Sequence, residues 1–545
     1  MGAMLAALAC LVVLADSGSQ VAQGAPRPEA RSQQDTPPTT PAHSYAPSSR
    51  TRHPNIVFVL TDDLSRDLVP FMPEVQSLQT RGLSFDNYIV SDSLCCPSRA
   101  SIFTGNFPHD TKVFGNTLPK GGVAKFFQRD EQRISFNVAL HRAGYATAMM
   151  GKYLNGYLEP PYDQKPATYV PPDWTEWDVA GWGYPEFNYQ MNINGKVHYF
   201  GDKPRDYLTD VLARRGVKFI GRMARGHRPF FLELATFAPH WPYTPAPRDA
   251  TSFPGLVAPQ PPNFDVLPTD PPRWLAGHPP LNARKLKLIN TAFRKRVQSV
   301  QAIDRMISRI TETLDAHHLT RDTYVVFSSD NGLHTGEYRL TPGKLTAFNT
   351  DIRVPLIVAG PGVPVDRRTD LFAQNIDLAK TFDAIAGARP TPDDGVSLLP
   401  VWHGATPSTW QNAALIEHHG PTTNPRDPDF QTFDSANPTT YEALRTSQFL
   451  YVEYRNGQRE FYNLRTDPFE LHNVADELTG TQRQTLHAEL DQLRNCHTSA
   501  ACQAAARLPP LANAPSWPGS DRVPDQADGK PNADPARDAP AAEVR

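Results

Sequence analysis

Cysteine is scarce in this chain, five among 545 residues, which excludes a small disulfide-built scaffold. No Cys-x-x-Cys or His-x-x-x-His spacing occurs, so the usual thiolate and imidazole frameworks for a transition metal are missing. Charge of one sign is also missing. The formal net charge is -3 and the sequence pI about 6.6, which rules out a global basic field for gathering nucleic acid or anionic lipid. An anionic ligand would have to be held by a local cluster of cations. No internal repeat is visible. The apolar run Met4–Ala15 has signal-peptide length and falls short of the ~20 residues that span a bilayer. Neither Lys nor Arg precedes it, and no Ala-x-Ala site follows.

Proline, by contrast, is abundant: 54 residues, roughly twice the usual share of about 5%. Many lie in the two ends and in Pro239–Pro280, which reads as long ordered loops. Residues 1–24 are read as a signal peptide for export to an extracellular or periplasmic compartment. Residues 25–52, rich in Pro, Ser, Thr and Gln, are read as a disordered linker, and 509–545 as a tail of the same kind. Between them, short apolar runs alternate with amphipathic helical patterns. The runs are Asn55–Leu60, Ala146–Met150, Phe230–Ala235, Thr323–Phe327 and Pro355–Ala359; the helices are Ile134–Arg142, Tyr207–Met223, Arg284–Leu314 and Ile376–Ala386. That alternation predicts an α/β fold, a mainly parallel sheet sandwiched by helices, over 53–400. Strand patterns at Gln448–Glu453 and Arg459–Tyr462 and a helix over Glu477–Leu493 predict a small α+β subdomain over 401–508. Cys496 and Cys502 stand close enough to close a small disulfide loop, or to remain two thiols at a helix end.

Ligands of open α/β sheets bind beyond the carboxyl ends of the strands. Four of the runs lead there to polar residues: Asp62-Asp63, Gly151-Lys152, Pro239-His240 and Asp330-Asn331-Gly332. Each alone has a plain explanation as a cap, turn or solvated side chain. Together they form a coherent set. Asp62, Asp63, Asp330 and Asn331 offer hard oxygens suited to Ca²⁺ or Mg²⁺, and Arg99, Lys152 and Lys344 offer positive charge for a departing oxygen. Pro97 suits the first turn of a helix and Gly105 its end. Ser98–Thr104 is therefore predicted helical, with Cys95 at its anion-favouring N-terminal approach. A plain low-pKa thiolate would fit that place too.

Leu94–Gly105 (LCCPSRASIFTG) resembles the signature of the type I sulfatases, Cys-x-Pro-Ser-Arg with a downstream Thr-Gly. The resemblance extends over most of 55–477. It includes Val59–Asp63, Gly151–Asn155 (GKYLN), Asp206–Ala213, Ala238–His240, Ala292–Arg296, Ser329–Gly336 and Phe461–Asp476, and its wording is nearest to the N-acetylglucosamine-6-sulfatases. It implies an alkaline-phosphatase-like fold, hydrolysis of a sulfate ester, one calcium ion held by Asp62, Asp63, Cys95, Asp330 and Asn331, and conversion of Cys95 to formylglycine by a formylglycine-generating enzyme. It implies that the hydrated aldehyde attacks sulfur, that Arg99 and Lys152 position it and the sulfate, and that His240 or Lys344 protonates or screens the leaving alcohol. Many arylsulfatases carry a histidine two residues after the lysine; here Leu154 stands there. The implied partner is a sulfated sugar or glycan, with glucosamine 6-sulfate first and aryl sulfates as an alternative; no nucleic acid and no stable membrane span are expected. A phosphatase or phosphonate monoester hydrolase on the same sheet, or a non-catalytic glycan-binding protein with Cys95 unmodified, are the readings of another class. His109 is placed equally at the substrate or in a structural role.

Overall fold

The computed structural model describes residues 53–159, 165–226, 228–389 and 391–516. The expected signal peptide and linker, and the tail from 517 onward, lie outside the described residues. Ten strands form the main sheet: β1 Asn55–Thr61, β2 Leu83–Ile89, β3 Ala146–Gly151, β4 Glu176–Gly181, β5 Tyr189–Ile193, β6 Lys196–Phe200, β7 Phe230–Ala235, β8 Thr323–Ser329, β9 Leu356–Ala359 and β10 Arg367–Gln374. Their order across the sheet is β10-β2-β9-β8-β1-β7-β3-β4-β5-β6. At its centre β8, β1, β7 and β3 run parallel. These are the four runs whose carboxyl ends carry the polar residues singled out in the sequence. The fifth run, which ends in β9, is antiparallel to both its neighbours, so it delivers its C-terminus to the opposite edge.

Alternation along β1 shows why the sheet must be covered twice. Ile56, Phe58 and Leu60 belong to one apolar core and Val57 and Val59 to the other, since successive strand residues point to opposite faces. The helices Phe136–Arg142 and Asp377–Ala386 cover the first face, supplying Leu140 and Phe382. The helices Leu208–Met223 and Ala283–Ala316 cover the second, through residues such as Ile220, Val300 and Ile303. Burying a side chain of this size stabilises the fold by about 1.5–3 kcal/mol, so the two layers pin β1 from both sides.

A second sheet, β11 Ala413–His418, β12 Tyr441–Thr446, β13 Phe449–Tyr454 and β14 Arg459–Asn463, is antiparallel throughout. Ile416, Ala443 and Leu450 join the core on the first face of the main sheet, whereas Leu415, Leu444 and Phe461 pack under the helix Gly480–Arg494 through Leu486 and Leu490. Thr479 and Gln482 start that helix with a reciprocal capping box, which satisfies two otherwise orphaned N–H groups. Cys496 and Cys502 are joined in a disulfide. Among the described residues no helix is long and apolar enough to cross a membrane.

Candidate active site

The central strands end in tight backbone turns that aim side chains at one point. Asp62 and Asp63 follow β1, and Asp63 adopts the left-handed conformation, φ 62°, which Asp tolerates better than most residues. Arg296 of the long helix fixes that turn by donating from Nη2 to the Asp63 carbonyl at 2.6 Å and to Ser65 Oγ at 3.0 Å. Gly151 closes β3 with φ 105°, and a Cβ there would lie 1.8 Å from the Ala235 carbonyl oxygen. Only glycine therefore lets the Lys152 N–H reach that same oxygen at 2.8 Å. The helix Cys95–Thr104 begins three residues before the expected Ser98 and is buried along its whole length. Gly105 ends it in the left-handed region, as its position predicts.

Cys95 Sγ lies at the centre of this convergence. Its thiol reaches Asp62 Oδ1 at 3.1 Å, and it accepts from Lys344 Nζ at 2.9 Å. Lys344 also donates to Asp63 Oδ1 at 2.6 Å, and Lys152 donates to Asp62 Oδ2 at 2.6 Å. Arg99 holds Asp330 Oδ2 through Nε at 2.7 Å and the Lys152 carbonyl through Nη1 at 3.0 Å. All of these side chains are buried. Burial pushes Asp62 up to about 6, with Lys152 partly offsetting it. Burial acts the same way on Asp330, but Arg99, Lys152 and Lys344 outweigh it and hold the carboxyl at about 2. The unmodified Cys95 thiol is pushed well above its usual value by burial, then by Asp429 and Asp62. A plain thiolate is thus disfavoured here, although the site lies at a helix N-terminus.

His240 Nε2 sits 3.6 Å from Asp63 Oδ2 and 2.7 Å from Asp429 Oδ1, and its Nδ1 lies 2.7 Å from the Trp241 carbonyl. Burial lowers its pKa, but Asp63 and Asp429 overcome this and raise it to about 9. Asp429, from the loop between β11 and β12, is the residue that sequence reasoning missed. Its Oδ1 accepts from Lys344 Nζ at 2.6 Å as well as facing His240, and its Oδ2 accepts from Asn116 Nδ2 at 2.6 Å. Burial alone would raise Asp429; Lys344 and His240 hold it well below the carboxylate range. Leu154 is buried in the apolar core. The Tyr184 ring lies beside Lys152, 5.0 Å from Nζ, and packs on His240 at 4.6 Å. His109 stands apart, with Nδ1 2.9 Å from Glu417 Oε2 and Nε2 2.8 Å from the Cys496 carbonyl; both ring nitrogens are engaged structurally.

The side chains gathered here could hold a metal ion. Ligand atoms of Asp62, Asp63, Cys95 and His240 lie within 4.8 Å of one another. Asn331, whose Nδ2 donates to Asp63 Oδ1 at 2.7 Å, keeps a buried Oδ1 without a protein partner among the described residues. Such an orphaned oxygen is costly unless something pairs with it. Carboxylate and amide oxygens suit Ca²⁺ or Mg²⁺.

Oxygen donors lie beside Arg99, Lys152, His240 and Lys344 at the carboxyl edge of a helix-covered sheet, an arrangement chemically suited to hydrolysis of esters of tetrahedral oxyanions. The family profile described as Sulfatase matches residues 54–388, and that described as N-sulphoglucosamine sulphohydrolase, C-terminal, matches residues 336–496. The N-acetylglucosamine-6-sulfatase of Homo sapiens is 33% identical over 480 residues, 83% of this chain and 86% of that protein. The chain belongs to the sulfatase family and is a sulfuric ester hydrolase. The alkaline-phosphatase-like fold extends to BT4656, solved in complex with its substrate D-glucosamine-2-N,6-O-disulfate; TM-score 0.64, 21% identity, 81% of this chain and 98% of that chain. It extends equally to a phosphonate monoester hydrolase of Agrobacterium radiobacter; TM-score 0.63, 19% identity, 82% of this chain and 97% of that chain.

Proposed function

We propose that this enzyme removes sulfate from a sulfated amino sugar, with N-acetylglucosamine 6-sulfate of a glycosaminoglycan as the first candidate. The position of Cys95 carries this reading: the first residue of the signature lies within hydrogen-bonding distance of both Asp62 and Lys344. Asp62, Asp63, Asp330 and Asn331, with the group at position 95, would hold one Ca²⁺, or Mg²⁺ in its place. The bound metal would supply charge to polarise the ester oxygens. Formylglycine made from Cys95, once hydrated, supplies an oxygen nucleophile that releases sulfate from within rather than leaving an ester for water to cleave.

The chain's own residues do the remaining work. Arg99, locked to Asp330, fixes the nucleophile helix against the turn after β8. Lys152, oriented by Asp62 and by the Tyr184 ring, faces the sulfate oxygens. His240 Nε2 and Lys344 Nζ carry protons on the leaving side; as the sulfur–oxygen bond to the sugar breaks, one of them protonates or screens that oxygen. Burial of these groups excludes water and strengthens each charge. The 33% identity to a human N-acetylglucosamine-6-sulfatase supports the sugar. The apolar run Met4–Ala15 and the 496–502 disulfide support export. Residues 53–400 would be the catalytic domain, and 401–508 would complete its site through Asp429.

The test joins mass spectrometry of the Cys95 peptide to sulfate release from N-acetylglucosamine 6-sulfate and from an aryl sulfate. Active enzyme should carry the aldehyde, release sulfate from the sugar, and lose all turnover in Cys95→Ala. Unmodified thiol throughout an active preparation, or residual activity in Cys95→Ala, would sink the mechanism; turnover of the aryl ester alone would sink the sugar.

A further inference from the structure

Each cation of the site faces a carboxylate, and the pairing is uneven. Arg99 faces Asp330 and Lys152 faces Asp62, whereas Lys344 lies 2.6 Å from both Asp63 and Asp429. His240 lies 2.7 Å from Asp429. Asp429 thus adds a negative charge beyond the three aspartates of the oxygen set, on the two cations assigned to the leaving side. Its place is built rather than incidental. The carboxylate is buried, Asn116 holds Oδ2 at 2.6 Å, and Asp427 Oδ1 accepts its backbone N–H at 2.9 Å. Asn116 in turn accepts the Cys96 N–H at 3.1 Å, so the charge is tied to the helix that carries Cys95. Through Lys344, which contacts both, the carboxylate stands only two short contacts from Cys95 Sγ.

A sulfate monoester carries one negative charge, whereas a phosphate monoester carries about -1.5 to -2 at pH 7. The same sheet architecture occurs in a phosphonate monoester hydrolase, so the fold by itself does not choose between these centres. We propose that Asp429 is a specificity determinant that sets the charge this site accepts, favouring a singly charged sulfate ester over the doubly charged phosphate ester of the same alcohol. The inference rests on the sulfuric-ester chemistry centred on Cys95 and adds to it a reason for selectivity. A buried anion beside the substrate repels the second charge of the phosphate and leaves the singly charged ester with one such repulsion fewer.

The experiment compares kcat/KM for 4-nitrophenyl sulfate and 4-nitrophenyl phosphate, using the full-length, Cys95-converted, metal-loaded protein and its Asp429→Asn and Asp429→Ser variants. Both esters share one leaving group, so loosening of His240 or Lys344 lowers both rates in step and leaves their ratio unchanged. Removal of the charge should lower the sulfate-to-phosphate preference by about 10- to 100-fold, the scale of one unit charge a few ångströms away in a partly screened site. Asp429→Glu, which keeps the charge, should retain the preference to within about threefold. A second neutral variant guards against one that fails to fold. Equal losses on both esters in the neutral variants, or a preference lost equally in Asp429→Glu, overturn the proposal. Converted wild-type enzyme that releases no sulfate overturns the underlying reading, and this one with it.

Discussion

Glu233 lies in the middle of β7, paired in register with Phe58 of β1 and Met149 of β3. It is fully buried, and neither carboxylate oxygen has a protein partner among the described residues. Burial raises its pKa from 4.5 to about 8, with Arg99 only partly opposing. A carboxyl raised in the folded state contributes no penalty below its unfolded value. It then weakens the fold as pH climbs from 4.5 toward 8, because the unfolded chain ionises first. At about 1.4 kcal/mol per unit, the cost is under ~1 kcal/mol at pH 5, roughly 3 at pH 7 and roughly 4–5 at pH 9. Glu233→Gln keeps the shape and removes the titration. Its own buried amide adds a constant that does not vary with pH. Urea unfolding of both proteins at pH 5, 7 and 9, followed by tryptophan fluorescence, should show the variant gaining about 3–4 kcal/mol on the wild type across that range. A difference constant to within about 1 kcal/mol would refute the argument that this acid is folded in its protonated form.

The Arg99–Asp330 pair is fully buried, at 2.7 Å, so Arg99→Leu should destabilise by about 3–5 kcal/mol, leaving an uncompensated charge; a melt within 2 °C of wild type would contradict this. Chelation should abolish turnover and lower the melting temperature, with Ca²⁺ restoring both, and Asn331→Ala should require more Ca²⁺ for the same recovery; calorimetric titration with Ca²⁺ gives the affinity without recourse to activity. Cys496→Ser with Cys502→Ser opens a loop of sequence separation 6, which loop-closure entropy values at about 2 kcal/mol. Stability should fall by that amount, while kcat stays within about twofold, since Cys496 and Cys502 pack in the core beneath the helix Gly480–Arg494, with Leu486 and Leu490.

The centre of the sheet was legible because it is buried on both faces. The runs that became β1, β3, β7 and β8 are short and mostly apolar, which is the signature of covered parallel strands. The edges were not. β6 (Lys196–Phe200) is almost wholly exposed and β10 begins with Arg367-Arg368-Thr369-Asp370, so their sequences carry no apolar run to find. β2 was obscured by the polar Asp86-Asn87 at its middle. In the second sheet β13 and β14 were visible through their aromatics, whereas β11 (Ala413–His418) and β12 (Tyr441–Thr446) mix Ala, Glu and Arg with their apolar residues and register as strands only through the cores they divide.

The same physical difference separates the site residues. Asp62, Lys152, His240 and Asp330 each follow a recognisable strand, so the sheet topology alone brings them together. Cys95 and Arg99 were found through a motif, and its Pro and Gly ends match the helix that holds them. Asp429 had neither signal. It sits in Pro425–Phe430 (PRDPDF), directly after Pro428, where an acidic residue in a proline-rich stretch reads as an ordinary turn. What marks it is tertiary: two cations, from the loops after β7 and β8, converge on one of its oxygens while Asn116 grips the other. A charge in that place must alter which anions the two cations accept, and nothing in the local sequence encodes a convergence of three distant loops.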